Sequence, residues 1–182
     1  MIYPIVLYGN PVLKKVATPV ERDYPQLRQL VDDMFRTMYK ADGVGLAAPQ
    51  IGLSIRLFVV DVSPLASEMP ECSGFRKAFV NPEILSYEGD MVAHEEGCLS
   101  LPGISETVRR PDRITIHYFD EDWNEKTETV SGFAARAVQH EYDHIDGHVF
   151  VDKISLIRKQ MISSKLSALA KGKAQCRYKV RP

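Results

Sequence analysis

Residues 131–147 read SGFAARAVQHEYDHIDG and have the pattern of one amphipathic helix. Ser131 is a residue type that favours the cap position at the start of a helix, and Gly147 is one that favours the position just beyond its end. The apolar residues between them recur on one side of such a helix: Phe133, Ala134, Ala137, Val138 and Ile145. We therefore predict a helix over this stretch, with one face buried in the centre of the fold.

Within this helix, the segment His140-Glu141-Tyr142-Asp143-His144 fits the pattern His-Glu-x-x-His. Residues four apart lie on one face of a helix, so both imidazoles can reach one cation, which they bind at about 2.0 to 2.1 Å. Glu141 follows the first histidine, where it can take a proton from a water on the metal without binding the metal itself. The pattern indicates a metal site, although it also occurs by chance in polar helices.

A catalytic site of this kind needs a third protein ligand. The extended pattern His-Glu-x-x-His-x-x-Gly-x-x-His is excluded because Phe150 stands at the last position, and a downstream glutamate is excluded because none follows Glu141. The remaining candidates are four downstream side chains and one upstream cysteine: Asp146, His148, Asp152, Cys176 and Cys98. Cys98 lies between a glycine and a polar segment, but a lone cysteine is more often a buried core thiol. The spacing alone leaves the third ligand open.

Two further segments have the periodicity of amphipathic helices. An N-terminal helix is predicted after Asp23 and Pro25, with Gly43 at its end, because five apolar residues recur at spacings of three and four: Leu27, Leu30, Val31, Met34 and Met38. A C-terminal helix is predicted over residues 154–170, with the lysines outward and five apolar residues inward: Ile154, Ile157, Met161, Leu166 and Leu169.

The strand patterns all lie between residues 44 and 131. Strands are predicted at residues 55–61, 77–80 and 84–87, with a surface loop at 63–75, and a hairpin is predicted at 113–119 and 126–130. Since strands and helices do not alternate along the chain, the predicted fold class is α+β. We expect antiparallel β-sheets surrounding a central metal-binding helix, with the N-terminal and C-terminal helices packed outside, in one domain over residues 1–182.

The charge of the chain is unevenly distributed. The net charge of the 182 residues is −1, but residues 153–182 carry nine basic and no acidic side chains, which leaves 14 basic and 24 acidic side chains in residues 1–152. Such a basic segment is either a solvated helix face or a surface that contacts nucleic acid.

Cysteine usage and hydropathy indicate a cytoplasmic protein. The three cysteines are too few for a disulfide framework, which indicates a reducing compartment. No apolar run approaches the roughly 18 to 20 residues of a membrane-spanning helix, and the N-terminus lacks the features of a signal peptide. We therefore expect no membrane partner.

Three segments of the chain resemble the signature motifs of the peptide deformylases, in the order and approximate spacing of that family. They are Gly43-Val44-Gly45-Leu46-Ala47-Ala48-Pro49-Gln50, Glu96-Gly97-Cys98-Leu99-Ser100 and Gln139-His140-Glu141-Tyr142-Asp143-His144. The likeness extends over essentially the whole chain, and Ile145, where the family often has leucine, is a conservative departure. The resemblance implies an enzyme that removes the formyl group from the N-terminal formyl-methionine of newly made polypeptides and releases formate.

The resemblance also implies roles for the site residues. The metal ligands would be Cys98, His140 and His144, with a water that the metal activates in the fourth position. Glu141 would act as general base and then as general acid. The Gln50 side-chain amide and the Leu99 backbone N–H would stabilise the negative charge on the former formyl oxygen.

The first motif and the central helix supply the candidate substrate contacts. The two glycines of the first motif permit backbone geometry closed to other residues, and the backbone at Val44 and Gly45 is expected to pair with an extended peptide. Phe133 and Ala137 lie near the face of His140 and are candidates for the pocket of the methionine side chain. Iron(II) is the metal that the resemblance implies, while one thiolate and two imidazoles also suit zinc, nickel or cobalt.

Two other functions remain open on the sequence. A small zinc peptidase would use the same helix with Asp152 or His148 as third ligand, and a non-catalytic module would use a structural metal site and bind RNA through the basic segment. The deformylase interpretation is itself compatible with docking of residues 153–182 on ribosomal RNA. DNA is not an expected partner.

Overall fold

The structure is a computed structural model that describes all residues from 1 to 182. Eleven helices and strands follow one another along the chain: β1 (Ile5–Val6), α1 (Leu27–Lys40), β2 (Gly45–Ala47), β3 (Leu57–Asp61), β4 (Arg76–Gly97), β5 (Ser105–Phe119), β6 (Glu125–Ser131), α2 (Gly132–Ile145), α3 (Leu156–Met161), α4 (Ser163–Ala170) and β7 (Val180–Arg181). Short 3-10 helices lie between them, among them Ala48–Ile51. None of the helices is long and apolar enough to cross a membrane.

Strands β2 to β6 form one antiparallel sheet in the order of the sequence. Strand β3 is buried on both faces, because Phe58 and Val60 belong to the core cluster that contains α2, whereas Leu57 and Val59 belong to the cluster that contains α1. The two longest helices therefore pack against opposite faces of the sheet. This arrangement confirms the predicted α+β class, in which antiparallel strands pack against the metal-binding helix and the N-terminal helix lies on the outside.

The central helix has the predicted bounds within two residues. It begins after Ser131 and ends at Ile145, and Gly147 has the positive φ of 79° that follows many helix ends. The predicted hairpin is also present, since Arg113 pairs with Ser131 and Phe119 pairs with Glu125 across β5 and β6. Alternation of buried Ile114, Ile116 and Tyr118 explains why the sequence indicated it.

Strand β4 is much longer than the two short strands predicted inside it. It runs without interruption to Gly97 and pairs with β5 as far as Ser105, with bulges that absorb Pro82 and the glycine at position 89. Beyond Leu85 most of its residues are exposed on both faces, so no apolar alternation marks them. Strand β4 positions Cys98, because it ends at Gly97, the residue before this cysteine.

The predicted C-terminal helix is divided at Ile162 into α3 and α4. The inward assignment was wrong for Ile157 and Met161, which are 73% and 68% exposed, whereas Ile162, Leu166 and Leu169 are buried. Met161 and Leu166 are five residues apart, which does not return to the same face of a helix. The predicted stripe thus joined residues of two different helical faces.

A parallel pair of short strands, β1 and β7, was not predicted. Ile5 pairs with Val180 and Val6 pairs with Arg181, so the N-terminal and C-terminal segments lie side by side. Two residues in each strand are too few to give a periodic pattern.

Candidate metal centre

Helix α2 and the turn after β4 bring one cysteine and two histidines together. Their ligand atoms, one each from Cys98, His140 and His144, all lie within 4.8 Å of one another, and Cys98 Sγ is 3.3 Å from His144 Nε2. The two histidines are neighbours because residues four apart share a helix face. Asp146, His148, Asp152 and Cys176, the other candidate ligands, are not part of this group.

Both histidines are oriented for metal binding. The Nδ1–H of His140 donates to Glu96 Oε2 at 2.9 Å, which leaves Nε2 to face the cysteine. A carboxylate behind a histidine fixes the ring and its tautomer in many metal sites. His144 is completely buried, and its Nδ1 has no hydrogen-bond partner. One thiolate and two imidazoles that converge on one point fit a divalent metal of the zinc or iron type.

The pKa values of the two histidines are displaced in opposite directions. Burial opposes protonation of His140, but its hydrogen bonds to Cys98 and Glu96 raise its pKa well above the usual value. Burial and the nearby positive charge of His140 lower the pKa of His144 well below the usual value. His144 therefore offers a neutral imidazole, and binding of a cation would compete with protonation of His140.

Glu96 lies at the centre of a buried charge network that sequence reasoning did not identify. Arg110 donates to both of its carboxylate oxygens, at 2.6 and 3.0 Å, and also to Asp143 at 2.8 Å. Arg136 donates to Glu96 Oε1 at 2.7 Å. Burial acts to raise the pKa of Glu96, but His140 and Arg110 hold it well below its usual range. The network fixes His140 to the sheet through a carboxylate whose ionised form is favoured by the neighbouring arginines.

We expect the substitution Glu96→Gln to lower the free energy of unfolding by about 3 kcal/mol, because it leaves the buried Arg110 and Arg136 without their shared counter-charge. Urea unfolding of the wild type and the variant measures this loss. The matched control is Glu88→Gln on the same strand, whose exposed carboxylate faces Arg113 and should change little. Equal effects of the two substitutions would contradict a structural role for the network.

Glu141 occupies the floor of the site without taking part in the network. Its side chain is 4% exposed, and its Oε2 has no hydrogen-bond partner. Burial raises the pKa of Glu141 to about 7, which is the range in which a carboxylate can both accept and donate a proton. A divalent cation at Cys98 and the two histidines would oppose this rise.

The two glycines of the first motif are required for space rather than for conformation. Neither Gly43 nor Gly45 has a positive φ, which corrects the expectation of unusual backbone geometry. A Cβ atom at Gly45 would collide with the carboxylate of Glu141, and one at Gly43 would lie 2.8 Å from Leu99 Cδ1. The glycines therefore allow the first motif to pack directly against the other two.

Gln50 is buried and its side-chain amide has a defined orientation. The Ala47 N–H donates to its Oε1 at 2.8 Å, and its Nε2 donates to Ser100 Oγ at 3.2 Å and approaches Cys98 Sγ at 3.4 Å. The amide N–H₂ thus faces the metal ligands. Leu99, in the same turn as Cys98, has a backbone N–H that donates to no backbone acceptor.

A cleft of about 360 Å³ opens over these residues. All the residues that the sequence indicated for the site line it, with the exception of the deeply buried His144: Val44, Gly45, Gln50, Cys98, Leu99, Phe133, Ala137, His140 and Glu141. Gly45, the first residue of strand β2, lies in one wall, and β2 lies at the edge of the sheet. An extended peptide can add to such an edge through backbone hydrogen bonds.

Comparison with known proteins agrees with this geometry. Residues 2–160 match the family model described as polypeptide deformylase. The peptide deformylase of Christiangramia forsetii is 50% identical over 188 residues, covering 100% of this chain and 96% of that protein. The crystal structure of the peptide deformylase of Thermus thermophilus matches with a TM-score of 0.84 at 42% identity, covering 94% of this chain and 99% of that chain. That of Thermotoga maritima matches with a TM-score of 0.77 at 41% identity, covering 85% and 99%.

Proposed function

This chain belongs to the polypeptide deformylase family, and we propose that it removes the N-terminal formyl group of newly made polypeptides through one metal ion held by Cys98, His140 and His144. The observation that carries the proposal is the convergence of these three ligands beside the unpartnered carboxylate of Glu141. They lie in a cleft whose wall is an edge strand. The site thus combines three metal-binding side chains, a carboxylate that can carry a proton and an edge to which a peptide can pair.

The substrate peptide is positioned by backbone and apolar contacts. The backbone at Val44 and Gly45, which line the cleft at the edge of the sheet, pairs with the extended chain, which requires no particular sequence. The methionine side chain lies against Phe133 and Ala137, both of which line the cleft. In this pose the formyl carbon faces Glu141.

Glu141 carries both proton transfers of the hydrolysis. A bound divalent metal supplies Lewis-acid activation of the attacking water. Glu141 accepts the proton of this water as its oxygen adds to the formyl carbon, and it then donates that proton to the methionine nitrogen as the C–N bond breaks. The products are formate and a free N-terminal amine.

The Gln50 amide and the Leu99 N–H stabilise the negative charge that develops on the formyl oxygen. The Gln50 amide group is held in place by Ala47 before the substrate arrives, and the Leu99 N–H has no backbone acceptor to give up. Donors fixed in advance require no reorganisation during the reaction, which is the reason that such groups lower barriers effectively.

Formate release from formyl-Met-Ala-Ser tests this function. We propose iron(II) as the native metal. The protein is therefore prepared without oxygen, and samples loaded with iron(II), zinc, nickel or cobalt are compared. Oxidation of Cys98 would remove a ligand, so the iron form should lose activity in air. Release of formate supports the proposal, whereas cleavage of the internal Met–Ala bond would favour a zinc peptidase. An equal rate of formate release with and without bound metal would contradict the proposed function.

We further propose that residues 153–182 form a basic helix and tail of the catalytic domain 1–182 and dock on ribosomal RNA. The charge of this segment is partly neutralised within the protein, because Lys153, Arg158 and Lys159 pair with acidic residues of the body. Arg181 donates a hydrogen bond to Ile51 O, and the other five basic residues of the segment are exposed to solvent and make no ion pair: Lys165, Lys171, Lys173, Arg177 and Lys179. These five side chains are therefore available to bind the phosphate groups of RNA.

Ribosome pelleting over a range of salt concentrations tests the docking proposal. Replacing Lys171 and Lys173 by glutamine should weaken pelleting and reduce the slope of log affinity against log salt by about one to two. The control replaces Lys15 and Lys40, which are also exposed and unpaired, by glutamine. Equal pelleting of the two double variants would overturn the proposal.

A further inference from the structure

The last five residues of the chain lie against the segments that carry the proposed oxyanion donors. Residues 178–182 are outside the part of the chain, 2–160, that matches the family model. The Ile5 N–H donates to Lys179 O and the Leu7 N–H donates to Arg181 O, both at 2.8 Å. The backbone of the tail is therefore held by β1 and is not free in solvent.

Tyr178 contacts the turn that carries Leu99. Its hydroxyl donates to the Leu99 carbonyl oxygen at 2.8 Å, and its ring packs on the same core cluster as the Leu99 side chain. Burial raises the pKa of the Tyr178 hydroxyl, so that it remains a donor. The next peptide unit is held as well, because the Tyr8 N–H donates to Ser100 O at 2.9 Å.

Arg181 contacts the end of the short helix that carries Gln50. Its Nη2 donates to Ile51 O at 2.8 Å, and its guanidinium group lies where a Cβ atom of residue 52 would be. Gly52 is therefore needed for this contact as well as for its φ of 87°. The tail thus touches both donor segments, Leu99 through Tyr178 and Gln50 through Arg181.

We infer that Tyr178 and Arg181 are positioning residues for deformylation, which fix the Leu99 and Gln50 segments relative to each other. The inference rests on the proposed donor roles of Leu99 and Gln50. Donors act on the transition state only when they are held at hydrogen-bond distance from the place where the charge develops, and shifts of a fraction of an ångström reduce their effect. Neither residue lines the cleft, so we expect their contribution to appear in kcat rather than in binding.

Steady-state kinetics of the full-length, metal-loaded protein test the inference for Tyr178. Tyr178→Phe, which removes one hydroxyl, should lower kcat for formate release by about three- to tenfold with KM unchanged. The control is Tyr118→Phe, which removes a hydroxyl that donates to Glu128 at 2.6 Å in the same protein, away from the donor segments. It should alter stability without altering kcat. A kcat of Tyr178→Phe equal to that of the wild type would overturn the inference.

A second pair of variants tests Arg181 in the same way. Arg181→Gln should also lower kcat by about three- to tenfold. Arg177→Gln should not, because Arg177, just before residues 178–182, is exposed and its side chain has no hydrogen-bond partner. If Arg181→Gln raised KM as much as it lowered kcat, or if Arg181→Gln and Arg177→Gln had equal kcat values, Arg181 would have a purely structural role. Failure of the wild type and both control variants to release formate would refute the proposed function instead.

Discussion

Replacement of Glu141 by alanine is expected to lower kcat for formate release by about 10³-fold or more, while the metal content stays at that of the wild type. Glu141 is not one of the three converging ligands, and its carboxylate oxygen Oε2 has no partner within the protein. Its loss therefore removes both proton transfers and leaves the metal site intact. Formate release under single-turnover conditions and metal analysis on the same samples measure the two quantities.

The isosteric variant Glu141→Gln separates the chemical role from packing. Gln retains the volume of the buried side chain, so thermal stability should not fall, but it cannot accept a proton from water. We expect the Gln variant to be as inactive as the Ala variant. Activity of either variant within tenfold of the wild type would assign Glu141 no part in proton transfer and would favour a structural metal site.

Sequence periodicity predicted the elements that bury one face. Helix α1 and strand β5 of the hairpin were predicted because each alternates buried residues with more exposed ones at its own period. Helix α2 has no exposed residue, and it was predicted from the spacing of its apolar residues and from the residue types at its two ends. The far half of β4 has both faces exposed and so carries no such signal. The pairing of β1 with β7 depends on backbone hydrogen bonds between segments at opposite ends of the chain, which leave no pattern in either segment.

The candidate site was predictable only where its residues are close in sequence. The spacing of His140 and His144 placed both on one face of a helix, but the neighbouring cysteine comes from the turn after β4. Spacing alone left Cys98 among five candidates, and the resemblance of the surrounding motif selected it. The structure brings it within reach of both histidines.

The supporting residues of the site were not predictable. Arg110 and Arg136 are buried because they share Glu96, and arginines at these positions would otherwise be assigned to the surface. Tyr178 reaches Leu99 from 79 residues away in the chain. A signal for Glu96 was present in the second motif, where an acidic residue lies two positions before the cysteine, but its partners come from other elements.

Replacement of Cys98 by alanine is expected to abolish stable metal binding and, with it, formate release. The variant retains two imidazoles, and two ligands hold a divalent metal far more weakly than three. After dialysis we expect the metal content to fall from about one ion per chain to less than about a tenth, since even loss of a supporting residue typically weakens binding by about 10- to 100-fold. Metal analysis of the dialysed proteins measures the change.

Thermal unfolding gives an independent measure of the same loss. A ligand that binds only the folded state stabilises it by about 2.7 kcal/mol at 100 times its Kd, so added metal should raise the Tm of the wild type but not that of Cys98→Ala. Cys176→Ala, which removes a half-buried thiol from the tail, is the control and should retain both metal and activity. A zinc peptidase with Asp152 or His148 as third ligand predicts instead that Cys98→Ala keeps its metal. That result would contradict the assigned ligand set. We do not expect it for Asp152, because Asp152 is paired with Lys14 and Lys159 and would have to leave both to reach the histidines.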